Sequence, residues 1–500
     1  MPQHDQDYAQ RQLDGLVALM AIAEPDVTVL PFSGTAVRMR YSGALEQLDQ
    51  PEVDDRDIQP GVKLTGHIAA IARLMRNNQL LRSSLNIIMN AGIQSIFGFV
   101  FWILAAHLFS PANVGRASSL ISASMLLAFF GLLGLNITFL RFLPVSEQRN
   151  RLITAGLILV GSFSGVLALA YVFAMPFIAR PISFVAHNPL LAVGFIVLTI
   201  GGGLSSITDS IFISMGKASF NIITDGVVCG IVKIALVVGL AGGGTYDVFF
   251  ASSSGFAAAG FSSVLLMMVV LRWRPKFGGF ALVLKPVLRF TGVNYVAGAL
   301  SLLPTLIIPL IVLNRLGSDD TAYYYVSYQL ANLIYTAAFS VEQAFLVEGA
   351  SAGVITRAAL MRSLRILLAL CIPAFLVVLL FGHEMLLAFG PKYGEHATWV
   401  LMALTTAVLP IALNNWSLTI LRLSNKLQAV VWSNVVYVVV ITGLAWILAG
   451  HGLTVMALAW PIGTSCSAMV AGSAAYMAIR RQRSAPDKRN RTGQQAAAAP

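Results

Sequence analysis

A run of 24 residues, Leu85–Leu108, contains no aspartate, glutamate, lysine or arginine. A helix over this run would be about 36 Å long, which is enough to cross a bilayer. A short polar turn, Phe109–Gly115, follows, and a second apolar run returns over Ser118–Leu140. The sequence therefore predicts a transmembrane helical hairpin, and further apolar runs of similar length follow it along the chain.

Twelve apolar runs of spanning length can be counted from residue 84 onward. Their approximate limits are 84–108, 117–139, 152–177, 189–212, 220–240, 247–271, 290–313, 322–346, 366–386, 397–420, 428–449 and 453–478. A long loop, 272–289, separates runs six and seven, and six-plus-six repeats commonly place a substrate path between the two halves. We therefore expect an all-α polytopic membrane protein with about twelve transmembrane helices in two six-helix lobes around a central cavity.

The composition excludes several other classes of protein. Charged residues make up only 11% of the chain, against about 25% in soluble domains, and the mean hydropathy is +0.76. The net charge is +11, but the basic residues lie in short loops and a tail rather than on one helix face, which argues against a nucleic-acid partner. Cys229, Cys371 and Cys466 lie inside apolar runs without metal-site spacing, so we expect no metal and no cofactor.

The distribution of basic residues predicts the orientation in the membrane. With both termini inside, the cytoplasmic loops between spans carry 14 lysine and arginine residues. The external loops carry only Arg116, Arg180, Arg315 and Lys392. Because cytoplasmic loops are enriched in lysine and arginine, we expect both termini to be cytoplasmic.

The two ends of the chain differ in kind from the apolar part. Residues 1–80 hold 11 of the 22 acidic residues, and we expect most of the extension 1–83 to be disordered. Apolar and basic residues at helical spacing predict an amphipathic helix near 62–82 that lies on the lipids of the inner leaflet. The predicted domains are the cytoplasmic extension 1–83, the lobe 84–271, the cytoplasmic loop 272–289, the lobe 290–479 and a disordered basic cytoplasmic tail 480–500.

Polar side chains form stripes along several spans. Asn86, Asn90 and Gln94 recur every four residues and so share one face of the first span. Further polar positions are Asn294 in the seventh span, Tyr328, Asn332, Tyr335 and Glu342 in the eighth, and Asn414 in the tenth. Since polar groups facing lipid are costly, these faces should point into the bundle. Two interpretations remain open, hydrogen bonding between helices and a hydrated cavity that binds a substrate.

Four charged residues are embedded in the predicted spans, away from the span ends, namely Asp209, Asp225, Lys233 and Glu342. Each costs about 3 kcal/mol near the bilayer centre unless it is paired or hydrated. They are candidates for a structural ion-pair cluster or for a site that binds substrate or a coupling ion. Arg141 and Arg289 lie at cytoplasmic span ends, where they either anchor the topology or attract an anionic headgroup.

The first hairpin resembles a known family. Phe101-Trp102-Ile103-Leu104-Ala105-Ala106, Phe109-Ser110-Pro111 with Val114-Gly115, Leu132-Leu133-Gly134-Leu135 and Leu140-Arg141-Phe142-Leu143-Pro144 are similar to the opening of oligosaccharide-lipid flippases of the Wzx type. These belong to the multidrug/oligosaccharidyl-lipid/polysaccharide exporter superfamily. The resemblance implies two lobes that alternate access to a central cavity in a bacterial plasma membrane. It also implies a polyprenyl-diphosphate-linked glycan as the transported molecule.

Three functions follow as hypotheses, the first being a flippase for lipid-linked oligosaccharides in cell-surface polysaccharide biosynthesis. The second is a cation-coupled multidrug exporter of the same superfamily, which would have a more apolar cavity. The third is a membrane glycosyltransferase or polymerase, but no external loop exceeds about a dozen residues. We therefore expect a transporter rather than an enzyme, and the N-terminal extension is a candidate binding region for other polysaccharide-assembly proteins.

Overall fold

The computed structural model describes residues 79–279, 292–352, 357–424 and 426–484. The chain consists of two units, Met1–Ser84 and Leu85–Pro500, and the fold presented here is that of the second. Within the described ranges all regular structure is helical and no strand is present. The predicted disordered tail 480–500 overlaps the helix Ala459–Ser484, so its first five residues are helical rather than disordered. The rest of that tail, nearly all of the extension 1–83 and all but the last few residues of the predicted amphipathic helix near 62–82 lie outside these ranges.

The first lobe contains six spanning segments. Their bounds are Gln79–Leu108, Pro111–Gly131 continued by Leu135–Phe142, Arg149–Ile178, Pro189–Ser214, Ser219–Gly239 and Thr245–Val270. Spans two and four both begin with a proline, and the preceding Ser110 and Asn188 accept hydrogen bonds from the first turn. These residue types are typical of helix starts, because the side-chain oxygen satisfies an amide that the helix leaves unpaired.

The second lobe also contains six spanning segments. Their bounds are Gly292–Arg315, Ser318–Ala352, Arg357–Leu387, Pro391–Thr405 continued by Val408–Leu423, Leu427–Leu448, and Leu453–Ala457 continued by Ala459–Ser484. In the part of the chain that the structure describes, eleven helical segments are long and apolar enough to cross a membrane. The remaining one, Ser318–Ala352, has 35 residues and carries Asp319, Asp320 and a row of tyrosines. The prediction of about twelve transmembrane helices in two lobes is confirmed.

Small residues allow the helices of the first lobe to approach closely. A Cβ atom added to Gly201 of span four would lie 2.6 Å from the Cβ of Ala257 in span six. Likewise, a Cβ added to Gly260 of span six would lie 2.9 Å from the amide nitrogen of Ser205. Close backbone approach at small residues is a general means of packing transmembrane helices, because lipid supplies no hydrophobic drive between them.

The two lobes contact each other near their predicted outer end. Gly115, at the start of span two, packs against the backbone of Ser318, at the start of span eight. The Ser119 hydroxyl donates a hydrogen bond to the carbonyl oxygen of Pro309 in span seven, with 3.1 Å between the two oxygen atoms. Nearby, the rings of Trp102 and Tyr325 pack against each other in a tilted arrangement, with 4.7 Å between their centroids. These contacts close the space between the lobes at that end.

Candidate functional site

A cavity of about 140 Å³ lies between the two lobes. Its walls come from spans one, two, five and six of the first lobe and from span eight of the second. The polar side chains that line it are Gln94, Asp225, Lys233, Ser252 and Gln329. Two of the four predicted intramembrane charges and one residue of the predicted span-one stripe therefore come together in one cavity.

Asp225 lies in a π-helical segment, Ile222–Val228, inside the fifth span. Segments of this kind are rare and occur frequently at functional sites, because the wider turn displaces side chains and frees backbone groups. The Asp225 side chain is buried and accepts hydrogen bonds from the Ser205 and Thr224 hydroxyls at 2.6 Å and 2.9 Å. Two neutral donors thus hold this carboxyl group within the bundle.

Lys233 extends from the same span, and its ammonium group lies over the ring of Phe256, 3.5 Å from the ring centroid. An aromatic face attracts a cation but leaves its N–H groups able to bind an anion. Gly255 makes room for the lysine stem, because a Cβ there would lie 2.5 Å from Lys233 Cγ. Within the described part of the chain, Lys233 and Asp225 do not form the ion pair that their spacing allowed.

Asp209, on span four, lies close enough to Asp225 for the two carboxyl groups to interact electrostatically. Its Oδ1 atom is buried and has no hydrogen-bond partner among the described residues. Two carboxyl groups in one buried region repel each other when both are ionised. Either one of them therefore holds a proton, or a cation binds between them. This pair can therefore hold a single positive charge.

The predicted polar stripe of span one is divided among different surroundings. Gln94 lines the inter-lobe cavity. Asn90 is buried beside Gly226 of the π-helical segment, and its Oδ1 atom has no hydrogen-bond partner in the described structure. Asn86 is half-buried and lines none of the cavities described here.

A second cavity, of about 280 Å³, lies within the C-terminal lobe. Four asparagines line it, namely Asn332, Asn414, Asn415 and Asn434, together with the aromatic residues Tyr328, Tyr335, Phe339, Tyr437 and Trp460 and the cation Arg422. One shared space is thus lined by three of the predicted polar residues of span eight, Tyr328, Asn332 and Tyr335, and by Asn414 of span ten. The same cavity also receives residues from spans seven, eleven and twelve.

The aromatic wall of this cavity is held in place by its own contacts. Trp460 donates its indole N–H to the Tyr324 hydroxyl at 2.8 Å and packs against Tyr328 at 5.2 Å between ring centroids. The Tyr328 hydroxyl in turn hydrogen-bonds Thr305 at 2.9 Å. Tyr335 donates to the Leu404 carbonyl oxygen at 2.6 Å. The rings are therefore fixed before any ligand binds.

Two asparagine amides of the cavity remain available. The side chains of Asn332 and Asn415 make no hydrogen bond to any described residue, whereas Asn414 accepts one from Ser467 at 2.9 Å. An amide carries both donors and acceptors, so an unpaired one in a cavity suits a ligand rich in hydroxyl groups. Sequence reasoning missed Asn415, although its neighbour Asn414 was a signal for it.

A third cavity, of about 260 Å³, is largely apolar and lies between the lobes. Leu302 and Leu306 of span seven face Leu198 and Phe129 of the first lobe across it. It shares Ile121, Met125 and Phe256 with the cavity that contains Lys233. A polar cationic space and an apolar space therefore adjoin each other at the inter-lobe surface.

The remaining predicted residues are separate from these cavities or outside the described structure. Arg141 is half-buried at the end of Leu135–Phe142, with its guanidinium group 5.5 Å from the Phe142 ring centroid. Asn294 and Glu342 lie in the helices of spans seven and eight, and only the backbone is described at these two positions. Arg289 lies outside the described residues. In the described ranges no three histidine, cysteine, aspartate or glutamate side chains converge as metal ligands would.

Comparison by sequence finds no relative, since neither a protein-family model nor a curated protein matches the chain. Comparison by structure finds proteins with a similar fold. An inward-facing multidrug resistance MATE family transporter of the MOP superfamily superposes with a TM-score of 0.58 at 14% identity, covering 80% of this chain and 99% of that one. An outward-facing structure of a MATE family transporter superposes with a TM-score of 0.54 at 14% identity, covering 81% and 96%.

The agreement with these structures extends over 99% and 96% of the MATE chains and over 80% and 81% of this one. At such low identity the comparison concerns the fold and not the ligand. The cavities described above therefore have to be interpreted from their own side chains. The chain has the two-lobed helical fold of the MATE family transporters of the MOP superfamily.

Proposed function

We propose that this protein is a transporter of the MOP superfamily that flips a polyprenyl-diphosphate-linked oligosaccharide across the membrane by alternating access. The observation that carries the proposal is the C-terminal cavity, where the unpaired amides of Asn332 and Asn415 face the ring of Trp460. A sugar presents hydroxyl groups around its edge and C–H groups on its faces. Amides form hydrogen bonds with the hydroxyl groups, and aromatic rings pack against the C–H faces of the sugar.

The inter-lobe cavity would receive the charged part of the same molecule. Lys233 is a cation whose N–H groups are not committed to a carboxylate in the described structure. A diphosphate offers several acceptor oxygens to such a group. The apolar cavity that adjoins it, between Leu302 and Phe129, would accommodate the first isoprene units.

The carboxyl pair Asp209 and Asp225 is our candidate for the coupling cation or proton, together with Glu342 in the other lobe. Asp225 occupies the π-helical segment of span five, directly beside the Lys233 cavity. A change in charge on this pair would alter the potential that the diphosphate meets at Lys233. Coupling between ion and substrate would follow from that proximity.

The resemblance to the flippase family implies a bacterial plasma membrane, and the asymmetry of basic residues between loops supports cytoplasmic termini in our proposal. In this orientation Arg141 and Arg289 lie at the cytoplasmic side. They would attract the diphosphate headgroup as it arrives from the inner leaflet. The N-terminal extension would bind other proteins of polysaccharide assembly.

The second candidate is a multidrug exporter, which the fold of the comparison structures favours. Such a protein would need a cavity that accepts apolar cations, and the cavity of about 260 Å³ between the lobes is largely apolar. The unpaired amides of Asn332 and Asn415 are the argument against this alternative, since an apolar drug would leave them without hydrogen-bond partners.

Reconstitution in proteoliposomes tests the proposal. A polyprenyl-diphosphate oligosaccharide with a fluorescent sugar is incorporated, and its exposure to an impermeant quencher is followed over time. Asn332→Leu with Asn415→Leu should slow flipping about tenfold, because the sugar hydroxyls lose their partners. Leu333→Ala, next to Asn332 but on an exposed face, is the matched control. Export of a fluorescent cationic dye without any flipping of the glycolipid would favour the multidrug exporter instead.

A further inference from the structure

A pocket of about 300 Å³ lies at the beginning of span three, on the predicted cytoplasmic side and away from the cavities discussed above. Its lining residues are Glu147, Gln148, Arg149, Asn150, Arg151 and Lys276. Three are cations and one is an acid, so the pocket is electropositive. Glu147 and Gln148 lie directly before span three, the next three residues form its first turn, and Lys276 comes from the loop after span six.

The loop that supplies Lys276 is fixed to the start of span three. The Trp273 indole N–H donates to the Asn150 carbonyl oxygen at 3.2 Å, and the Lys276 amide donates to the Thr154 hydroxyl at 3.1 Å. Trp273 itself is buried in the apolar core of the first lobe. Gly279 adopts a φ of +65° beside the Arg151 guanidinium group. The loop backbone therefore holds Lys276 at the pocket in a defined position.

Among the described residues that line the pocket, three cations face a single acid, Glu147. Arg149 donates to the Pro144 carbonyl oxygen at 2.6 Å, and Arg151 donates to the Gln148 side chain at 2.7 Å. The Arg151 Nε atom is buried and has no hydrogen-bond partner among the described residues. In the same ranges none of the three cations forms an ion pair with a carboxylate. Such a group of cations favours an anion with several acceptor oxygens.

The pocket is flanked by exposed apolar side chains. Phe277, directly after Lys276, is 74% exposed, and Val145, on the turn before span three, is 55% exposed. Apolar side chains beside cations at the end of a span are typical of the lipid headgroup region. This arrangement favours an anion that is attached to the membrane over one that is free in solution.

From these observations we propose that the pocket is a binding site for the phosphate group of an anionic phospholipid of the inner leaflet. Arg149, Arg151 and Lys276 contact the phosphate oxygens, while Phe277 and Val145 contact the acyl chains. Guanidinium groups suit this role because their planar fork matches phosphate geometry. The bound lipid ties the inter-lobe loop to span three. This proposal is independent of which molecule the protein transports.

The test uses the full chain in detergent, exchanged with phosphatidylglycerol or phosphatidylcholine and measured by native mass spectrometry. We expect wild-type protein to retain phosphatidylglycerol selectively. Lys276→Gln and Arg151→Gln should each weaken retention about fivefold. Lys276→Arg should retain wild-type binding. Arg274→Gln is the matched control, because this exposed cation lies on the same loop but outside the pocket.

The outcomes are separable. If Arg274→Gln weakens retention as much as Lys276→Gln does, diffuse surface charge explains the binding and the site does not exist. If inorganic phosphate binds the wild type while phosphatidylglycerol is not retained, the pocket serves a soluble anion and the lipid assignment is wrong. Because the Lys276 side chain makes no hydrogen bond to described residues, its variants should melt at the wild-type temperature. Loss of binding in a normally folded Lys276→Gln variant supports the proposal.

Discussion

Adding one methyl group at Gly115 should shift the equilibrium between the outward-closed and the outward-open conformations. A Cβ at this residue would coincide with the carbonyl oxygen of Ser318 and lie 2.9 Å from the amide nitrogen of Ala322. Both are backbone atoms, so no side chain can rotate away. Gly115→Ala is therefore incompatible with the outer contact between the lobes as it stands.

The magnitude follows from the cost of overpacking. An extra methyl group in a well-packed contact costs about 1–3 kcal/mol. This cost applies only to the conformation in which the lobes touch at the outer end. Alanine also favours the helix over glycine by about 1 kcal/mol, but this gain is the same in both conformations and cancels. We expect the ratio of outward-open to outward-closed protein to rise by about five- to 150-fold.

The assay measures distance between the lobes directly. Spin labels are attached at Asn188 and Lys392, which are both exposed and lie on predicted external loops of different lobes, after replacement of the native cysteines. Electron paramagnetic resonance then gives the distribution of distances in proteoliposomes. Gly115→Ala should enlarge the long-distance population. Gly92→Ala is the control, because a Cβ there has no atom within 4 Å.

Two results would contradict this reasoning. If Gly115→Ala and Gly92→Ala give the wild-type distance distribution, the tight outer contact does not control opening. If Gly115→Ala instead prevents insertion or folding, the contact is needed within the assembled bundle rather than between moving lobes. A second variant, Ser119→Ala, removes only the hydrogen bond to Pro309. It should shift the distribution in the same direction by a smaller factor, about fivefold.

Two further predictions concern the charge within the membrane and the topology. Lys233 lies about 20 Å from the inner end of its span, which is too deep for its side chain to reach the cytoplasmic headgroups. Lys233→Ala should therefore abolish flipping in the proteoliposome assay, while Lys233→Arg should retain part of it. Normal transport by Lys233→Ala would show that the charge is structural. Reporter fusions at Gly317 and Gly452 should report an external location, and fusions at Lys276 and Arg483 an internal one, because basic residues concentrate on the cytoplasmic side. A reversed reading at Lys276 would contradict the two-lobe topology.

The positions of the spans could be predicted from the sequence because each depends on local properties. A charge-free run such as Leu85–Leu108 has to bury its backbone polar groups in a helix wherever lipid surrounds it. The structure describes a helix over Gln79–Leu108. The break between spans one and two likewise follows from Ser110 and Pro111, since each acts on its own turn. No knowledge of distant residues was needed for either prediction.

The faces of the polar stripes were also determined locally, but their partners were not. Asn332 and Asn414 belong to different spans, and only the tertiary structure brings them to one cavity with Trp460. Asn86 and Gln94 have the same periodicity, yet only Gln94 lines a cavity. A helical period specifies direction about one axis and carries no information about which neighbouring helix lies there.

The charges show the same division between sequence and structure. The sequence alone determined that Asp225 and Lys233 lie in one span and need partners within the bundle. It allowed an ion pair between them, whereas the structure gives Asp225 the hydroxyl of Ser205 and places Lys233 over Phe256. The π-helical segment and the close approach of Gly255 produced this result. Both depend on contacts between helices that are distant in the chain, and a pattern along one helix cannot specify such contacts.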